Sequence, residues 1–193
     1  MNIKEIIVSI KKNKILTEVL DWVIWIGGAI ILAYIISNYI IINSNVPTGS
    51  MISTIMPDDR LIGFRLQYVF TEPKRGEIIV FKNPDDESKN YVKRLIGLPG
   101  ETVEIIDGVI YIDDVILQES YLGSIDDRSF GPYEVPEDSY FFLGDNRVSS
   151  LDARLWTNKF VKRDKILAKV LFRYYPSFKW MENPFTADQP AAQ

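Results

Sequence analysis

The 193-residue chain contains no cysteine and no histidine. Without cysteine it can form no disulfide, no thiolate nucleophile and no cysteine zinc site. Without histidine the Ser-His-Asp arrangement is excluded, and the common zinc ligand sets are unavailable. Positive charge is also scarce: 22 Lys and Arg stand against 26 Asp and Glu, a net charge of −4. Such a chain is not built to neutralise phosphates, which argues against nucleic acid as a partner. Internal repeats are absent as well. The length suits one domain, or one domain with an anchor.

What the chain does have is a long apolar run. Residues 22–42, WVIWIGGAIILAYIISNYIII, carry no charge, and only Ser37 and Asn38 are strongly polar. At the helical rise this run reaches roughly 30 Å, the thickness of a hydrocarbon core. Trp22, Trp25 and Tyr39 lie near its ends, where amphipathic rings favour the membrane interface. The run is too long and too uniformly apolar for a buried helix of so small a domain. It leads into IINSNVP with no A-x-A pattern, so it reads as a retained anchor and not a cleaved leader. The preceding segment, residues 1–18, carries Lys4, Lys11, Lys12 and Lys14 against Glu5 and Glu18. That lysine excess predicts a cytoplasmic N-terminus, an anchor over 19–42 and a domain outside the cytoplasm over 43–180.

The outer domain reads as strands. Residues 75–81 (RGEIIVF), 91–98 (YVKRLIGL), 102–117 (TVEIIDGVIYIDDVIL), 140–145 (YFFLGD) and 165–175 (KILAKVLFRYY) are rich in Val, Ile, Tyr and Phe and are broken by Gly, Pro and Asp. Asp107-Gly108 between apolar runs is a hairpin signal. With no α/β alternation, the expectation is a mainly β, antiparallel domain, barrel-like or a sandwich. Residues 82–90 (KNPDDESKN) are expected as an exposed loop, and residues 181–193 as a disordered tail.

The segment 45–61, NVPTGSMISTIMPDDRL, gathers Thr48, Ser50, Ser53 and Thr54 around Gly49. A serine nucleophile here would need a proton acceptor other than histidine. A neutral lysine amine can serve in Ser-Lys variants of the triad, provided that burial lowers its pKa. Of the 13 lysines, Lys93 and Lys169 are the two embedded in apolar runs. By alternation Lys93 shares a strand face with Tyr91 and Leu95, and Arg94 points the other way. Composition does not choose between Lys93 and Lys169, and either could be an edge-strand lysine that discourages aggregation.

Four stretches resemble, in order, the signature boxes of type I signal peptidases: PTGSM at 47–51, RGEIIVF at 75–81, YVKRLIGLPGE at 91–101 and GDNRVSSLDAR at 144–154. The likeness runs from the apolar span to about FRYYP at 172–176. Its short length and single span are similar to the compact enzymes of Gram-positive bacteria. The resemblance implies Ser50 as nucleophile and Lys93 as general base. It implies Thr48 as a hydroxyl that forms the oxyanion hole with the Ser50 N–H, and Ser150 as the serine that orients the lysine amine. Asp145, Arg147, Asp152 and Arg154 would hold the scaffold. Two positions depart from the family pattern: Ser53 stands where proline is usual, three residues after the nucleophile, and Ala153 replaces a common serine. The resemblance implies a membrane-anchored serine endopeptidase that removes signal peptides from exported preproteins, selects small residues at the first and third positions before the cut, and needs no metal or organic cofactor. Its partners would be preproteins and the lipid bilayer, with the secretion translocon as a candidate. The alternatives are a self-cleaving Ser-Lys protease of another class and a catalytically impaired, signal-peptidase-like assembly or chaperone protein.

Overall fold

The computed structural model describes residues 14–185. It divides into two units, one ending at Ile40 and one beginning at Ile41.

In the first unit, helix α1 (Lys14–Ile35) continues into a π-helical turn over Ile36–Ile40. Leucine, isoleucine and alanine favour the helix, and no proline interrupts it. The polar amide of Asn38 is satisfied locally, its Nδ2 donating to Tyr34 O at 2.8 Å. None of the α1 side chains is buried. Beyond Asp21 the helix carries no charged side chain and is apolar all round. By length and composition it can cross a membrane. The expected span of 19–42 differs from it at both ends. The helix already includes Lys14, and Ile41 and Ile42 leave it to form a strand in which Ile42 is buried. The lysine-rich residues 1–13 lie outside the described residues.

The second unit is mainly β. Its strands are β1 (Ile41–Asn45), β2 (Arg60–Phe64), β3 (Ile78–Asn83), β4 (Asp86–Gly97), β5 (Thr102–Ile106), β6 (Val109–Ile112), β7 (Val115–Ile116), β8 (Phe130–Glu134), β9 (Ser139–Leu143), β10 (Val161–Lys162), β11 (Ile166–Tyr175) and β12 (Lys179–Trp180), with a short helix α2 (Gln67–Phe70). All pairings are antiparallel. The larger sheet runs β1-β2-β11-β3-β4-β9-β10, with β12 added on β11, and the smaller runs β7-β6-β5-β8. Neither sheet closes on itself, so of the two architectures expected from the sequence the domain is not a closed barrel.

Strand β3 explains why residues 78–81 (IIVF) are continuously apolar. Ile78 and Val80 face a cluster with Ile42, Met51, Ile55, Leu61 and Val170. Ile79 and Phe81 face the opposite cluster with Leu95, Phe141, Phe142 and Trp156. A strand buried on both sides loses polar alternation. Phe81 stacks on Phe142 with ring centroids 4.3 Å apart. Each such buried side chain contributes about 1.5–3 kcal/mol, and together they fix the β3–β4 hairpin.

The turns follow backbone chemistry. Asp107 and Gly108 both take positive φ (49° and 80°), as a two-residue primed turn requires, and join β5 to β6. Asp113 and Asp114 (48° and 67°) do the same between β6 and β7; aspartate tolerates that region better than most residues. The segment 82–90 is not a free loop. Lys82 pairs with Asn90 and Asn83 with Asp86, leaving only Pro84-Asp85 at the tip. The Asp85 carboxylate fixes that tip by accepting from Thr157 N (2.9 Å) and Asn158 N (2.8 Å). Residues 181–185 are likewise held to the domain: Met181 N donates to Leu171 O at 2.9 Å, and Asn183 Nδ2 to Arg75 O at 2.9 Å. The rest of the expected tail, 186–193, lies outside the described residues.

Candidate active site

The β1–β2 connection, residues 46–59, is a compact loop. Its base is closed by Asp58 N to Val46 O (2.7 Å) and Val46 N to Asp59 O (3.1 Å). Met51 and Ile55 are fully buried, and both Thr54 N and Ile55 N donate to Met51 O at 2.8 Å. Ser50 therefore sits beside an immobilised hydrophobic anchor.

Lys93 approaches from the centre of β4, where it pairs opposite Ile79 of β3. Its Nζ is hydrogen-bonded to Ser50 Oγ, joining two elements 43 positions apart in sequence. Lys93 is 4% exposed and Ser50 9%. Burial pulls the Lys93 amine down to about 8; Asp152 and Asp145 oppose that shift from a distance. Among the described residues Lys93 has no ion-pair partner. Lys169 is its opposite: half-buried, with Nζ in an ion pair 2.7 Å from Glu77 Oε1. Of the two lysines, Lys93 alone is hydrogen-bonded to Ser50. Thr48 Oγ1 lies 3.5 Å from Ser50 Oγ.

The 144–154 segment supports this pair without touching it through a charge. Asp145 receives a bidentate bond from Arg94 (2.9 and 2.6 Å) and one from Thr54 Oγ1 (2.5 Å). Arg147 donates to Gly144 O (3.1 Å) and, through two nitrogens, to Glu119 (2.7 and 2.6 Å). Asp152 accepts from Gly144 N (3.0 Å) and from Arg154 Nε (2.8 Å). Arg154 also reaches Asp126 Oδ2 (2.9 Å) and Arg147 O (2.7 Å). Asn146 N donates to Ser50 O at 3.1 Å, and its Nδ2 to Gly49 O at 2.9 Å. Asp145, Arg147, Asp152 and Arg154 are all nearly inaccessible. Ala153 is fully buried among hydrophobics.

Gly144 is required by close approach. A Cβ there would collide with Ser150 Oγ and with the Ser50 carbonyl oxygen. Ser150 departs from its expected role in one respect. Its Oγ is buried and among the described residues has no hydrogen-bond partner; the amine's bond goes to Ser50 instead. The sequence reading also missed Arg94, Thr54, Glu119 and Asp126 as scaffold. Arg94 was findable, since a charged residue in an apolar strand raises the question already asked of Lys93. Glu119 and Asp126 lie in polar stretches without a distinguishing signal. Ser53 sits apart, lining a separate cavity with Thr54, Arg94 and Tyr121.

A cleft of about 340 Å³ opens over the pair. It is walled by residues 45–50 on one side, 90–93 on the other, and by Asn146, Ser149 and Leu151.

The sequence model of the family described as "Signal peptidase, peptidase S26" matches residues 19–175. The chain is 39% identical over 154 residues to probable signal peptidase I-2 of Synechocystis, covering 77% of this chain and 69% of that protein. It is 38% identical over 159 residues to signal peptidase I of Leptolyngbya laminosa (78% and 77% covered). With signal peptidase I of Bacillus amyloliquefaciens it shares 34% over 171 residues (83% and 90% covered). An apolar N-terminal helix of spanning length, a buried amine bonded to a serine, and a match over most of the chain agree: the protein belongs to the signal peptidase family, peptidase S26.

Proposed function

We propose that this protein is a membrane-anchored serine endopeptidase that removes N-terminal signal peptides from exported preproteins, with Ser50 as nucleophile and Lys93 as general base. The observation that carries the assignment of roles is the buried Lys93 amine hydrogen-bonded to Ser50 and, among the described residues, in no ion pair.

An extended preprotein segment lies in the cleft with its scissile carbonyl against Ser50. The neutral amine accepts the Ser50 proton as Oγ attacks the carbonyl carbon. The carbonyl electrons move to oxygen, and the oxyanion is met by the Ser50 N–H and the Thr48 hydroxyl. Lys93, now an ammonium, protonates the leaving amine of the mature chain. A water deprotonated by Lys93 then hydrolyses the acyl-enzyme and restores Ser50. Asp145, Arg147, Asp152 and Arg154 keep the loops in place, and Ser150 packs against Gly144. The lysine bias of residues 1–18 supports a cytoplasmic N-terminus and a catalytic domain on the outer face of the plasma membrane. Preproteins emerge there from the secretion translocon, which makes it the candidate neighbour.

The test is co-expression with a preprotein whose signal ends in Ala-x-Ala, followed by N-terminal sequencing of the product. Cleavage after the second alanine is expected for the parent and none for Ser50→Ala. Processing by Ser50→Ala would overturn the assignment. External protease should digest residues 43–180 in spheroplasts; digestion of residues 1–18 instead would reverse the orientation.

A further inference from the structure

Asn146 grips two successive carbonyls of the nucleophile loop. Its side-chain Nδ2 donates to Gly49 O at 2.9 Å and its backbone N to Ser50 O at 3.1 Å. A carbonyl only accepts, so the amide must present Nδ2 there. The Gly49 carbonyl belongs to the same planar peptide as the Ser50 N–H, and in a trans peptide the two point in opposite directions. Holding the carbonyl therefore fixes where the N–H points. Among the described residues the Ser50 N–H donates to no protein acceptor, as is also true of Gly49, Met51 and Ser53, while those of Ile52, Thr54 and Ile55 are committed to the loop. Gly49 is also the residue least able to hold that plane by itself, because it lacks a side chain to restrict its rotation. The remaining donor on its carbonyl is Ile52 N, at 3.2 Å within the same turn.

We propose that Asn146 is a positioning residue for the oxyanion hole: by anchoring the Gly49–Ser50 peptide plane to the 144–154 segment, it aims the Ser50 N–H at the oxygen that becomes negative when Ser50 attacks. The inference rests on the reading of Ser50 as nucleophile. Asn146 takes no proton and forms no bond to substrate; it acts through the Ser50 amide. Preorganised donors cost no reorganisation at the moment of reaction, and losing one outright costs about 10²–10³-fold in rate. With Ile52 still holding the carbonyl, loosening the plane is expected to cost about 10- to 100-fold.

The test uses full-length protein in detergent, a peptide substrate spanning an Ala-x-Ala site, and the corresponding peptide aldehyde, whose adduct with a serine carries the same oxyanion. Asn146→Ala removes the amide; Asn146→Asp keeps its volume but replaces the donor with an acceptor facing the Gly49 carbonyl. In both variants kcat should fall while KM stays within about twofold, the pattern of a contact made only in the transition state. Aldehyde affinity should fall by the same factor as kcat/KM. The acid limb of the Asn146→Ala profile, set by Lys93, should not move, and both variants should melt near the parent. Unchanged activity, a loss of activity with undiminished aldehyde affinity, a shifted acid limb in Asn146→Ala, or early melting of both variants would each overturn the inference. Ser50→Ala is assayed alongside. If that variant still cleaves, the reading of Ser50 fails; if it is inactive and the Asn146 variants behave as parent, only the inference about Asn146 fails.

Discussion

The state of the Lys93 amine can be turned into a pH profile and a stability curve. The ordinary lysine value of 10.5 falls to about 8 at this site, chiefly through burial. At pH 7 an amine with that value is neutral in about one molecule in ten, against about one in three thousand for an ordinary lysine, a gain of roughly 300-fold in competent enzyme. Activity should therefore rise about tenfold per pH unit below 8 and level off above it. The same shift carries a cost. Between about pH 8 and 10.5 the unfolded chain holds a proton on Lys93 that the folded chain has released, so stability rises with pH across that window. Below pH 8 both states are protonated, and burying the ammonium costs the fold about 3 kcal/mol. Lys93→Met deletes the charge and keeps the stem, so it should abolish cleavage and raise the stability at pH 7 by up to that amount. The assay is kcat/KM from pH 5.5 to 9.5 for the parent, with denaturant unfolding of both proteins at pH 7. A flat acid limb, a midpoint near 10.5, or a Lys93→Met protein less stable than its parent would refute the reasoning.

Three further outcomes are expected. Thr48→Val removes the hydroxyl 3.5 Å from Ser50 Oγ and should lower kcat about 10²-fold; peptide hydrolysis at the parent rate would take Thr48 out of the oxyanion hole. Arg94→Met strands the buried Asp145 carboxylate and should destabilise the domain by about 3–5 kcal/mol in denaturant unfolding; parental stability would contradict the role given to that pair. Lys169→Met is the counterpart of Lys93→Met: it breaks the contact with Glu77, should cost about 1 kcal/mol, and should leave peptide cleavage intact.

The site was more legible in the sequence than the fold around it. Serine, threonine and lysine without histidine or cysteine leave few chemistries open, and the four boxes supplied the order in which their residues meet. What the residues alone could not supply was distance. Lys93 and Lys169 look alike in one dimension and differ only because β4, and not β11, brings its side chain to Ser50. The strands at 78–83 and 91–97 announced themselves by burial on both faces or by β-branched content. The outer half of the β3–β4 hairpin did not, because residues 86–90 are solvated and their pairing depends on a hairpin already formed further in. Strands β1 and β2 were hidden for a related reason. Asn43, Ser44 and Asn45 pair with Ile62, Leu61 and Arg60, and neither run carries a strong strand composition alone. Residues 181–185 lack periodicity yet are fastened by single bonds to Leu171 and Arg75, contacts that no local pattern encodes.

Strand β3, clad by one hydrophobic cluster on each face, also carries the register that places Lys93. The basicity of the Lys93 amine is thus set chiefly by tightness of packing, with Asp152 and Asp145 working against it. Anything that lets water seep between β3 and β4 — warming, mild denaturant, truncation of Phe81 or Phe142 — lets the amine drift back towards its solution basicity. The first symptom of a loosening interior would then be an alkaline migration of the pH optimum, seen before any unfolding transition, so that the enzyme reports the condition of its own core through its working pH.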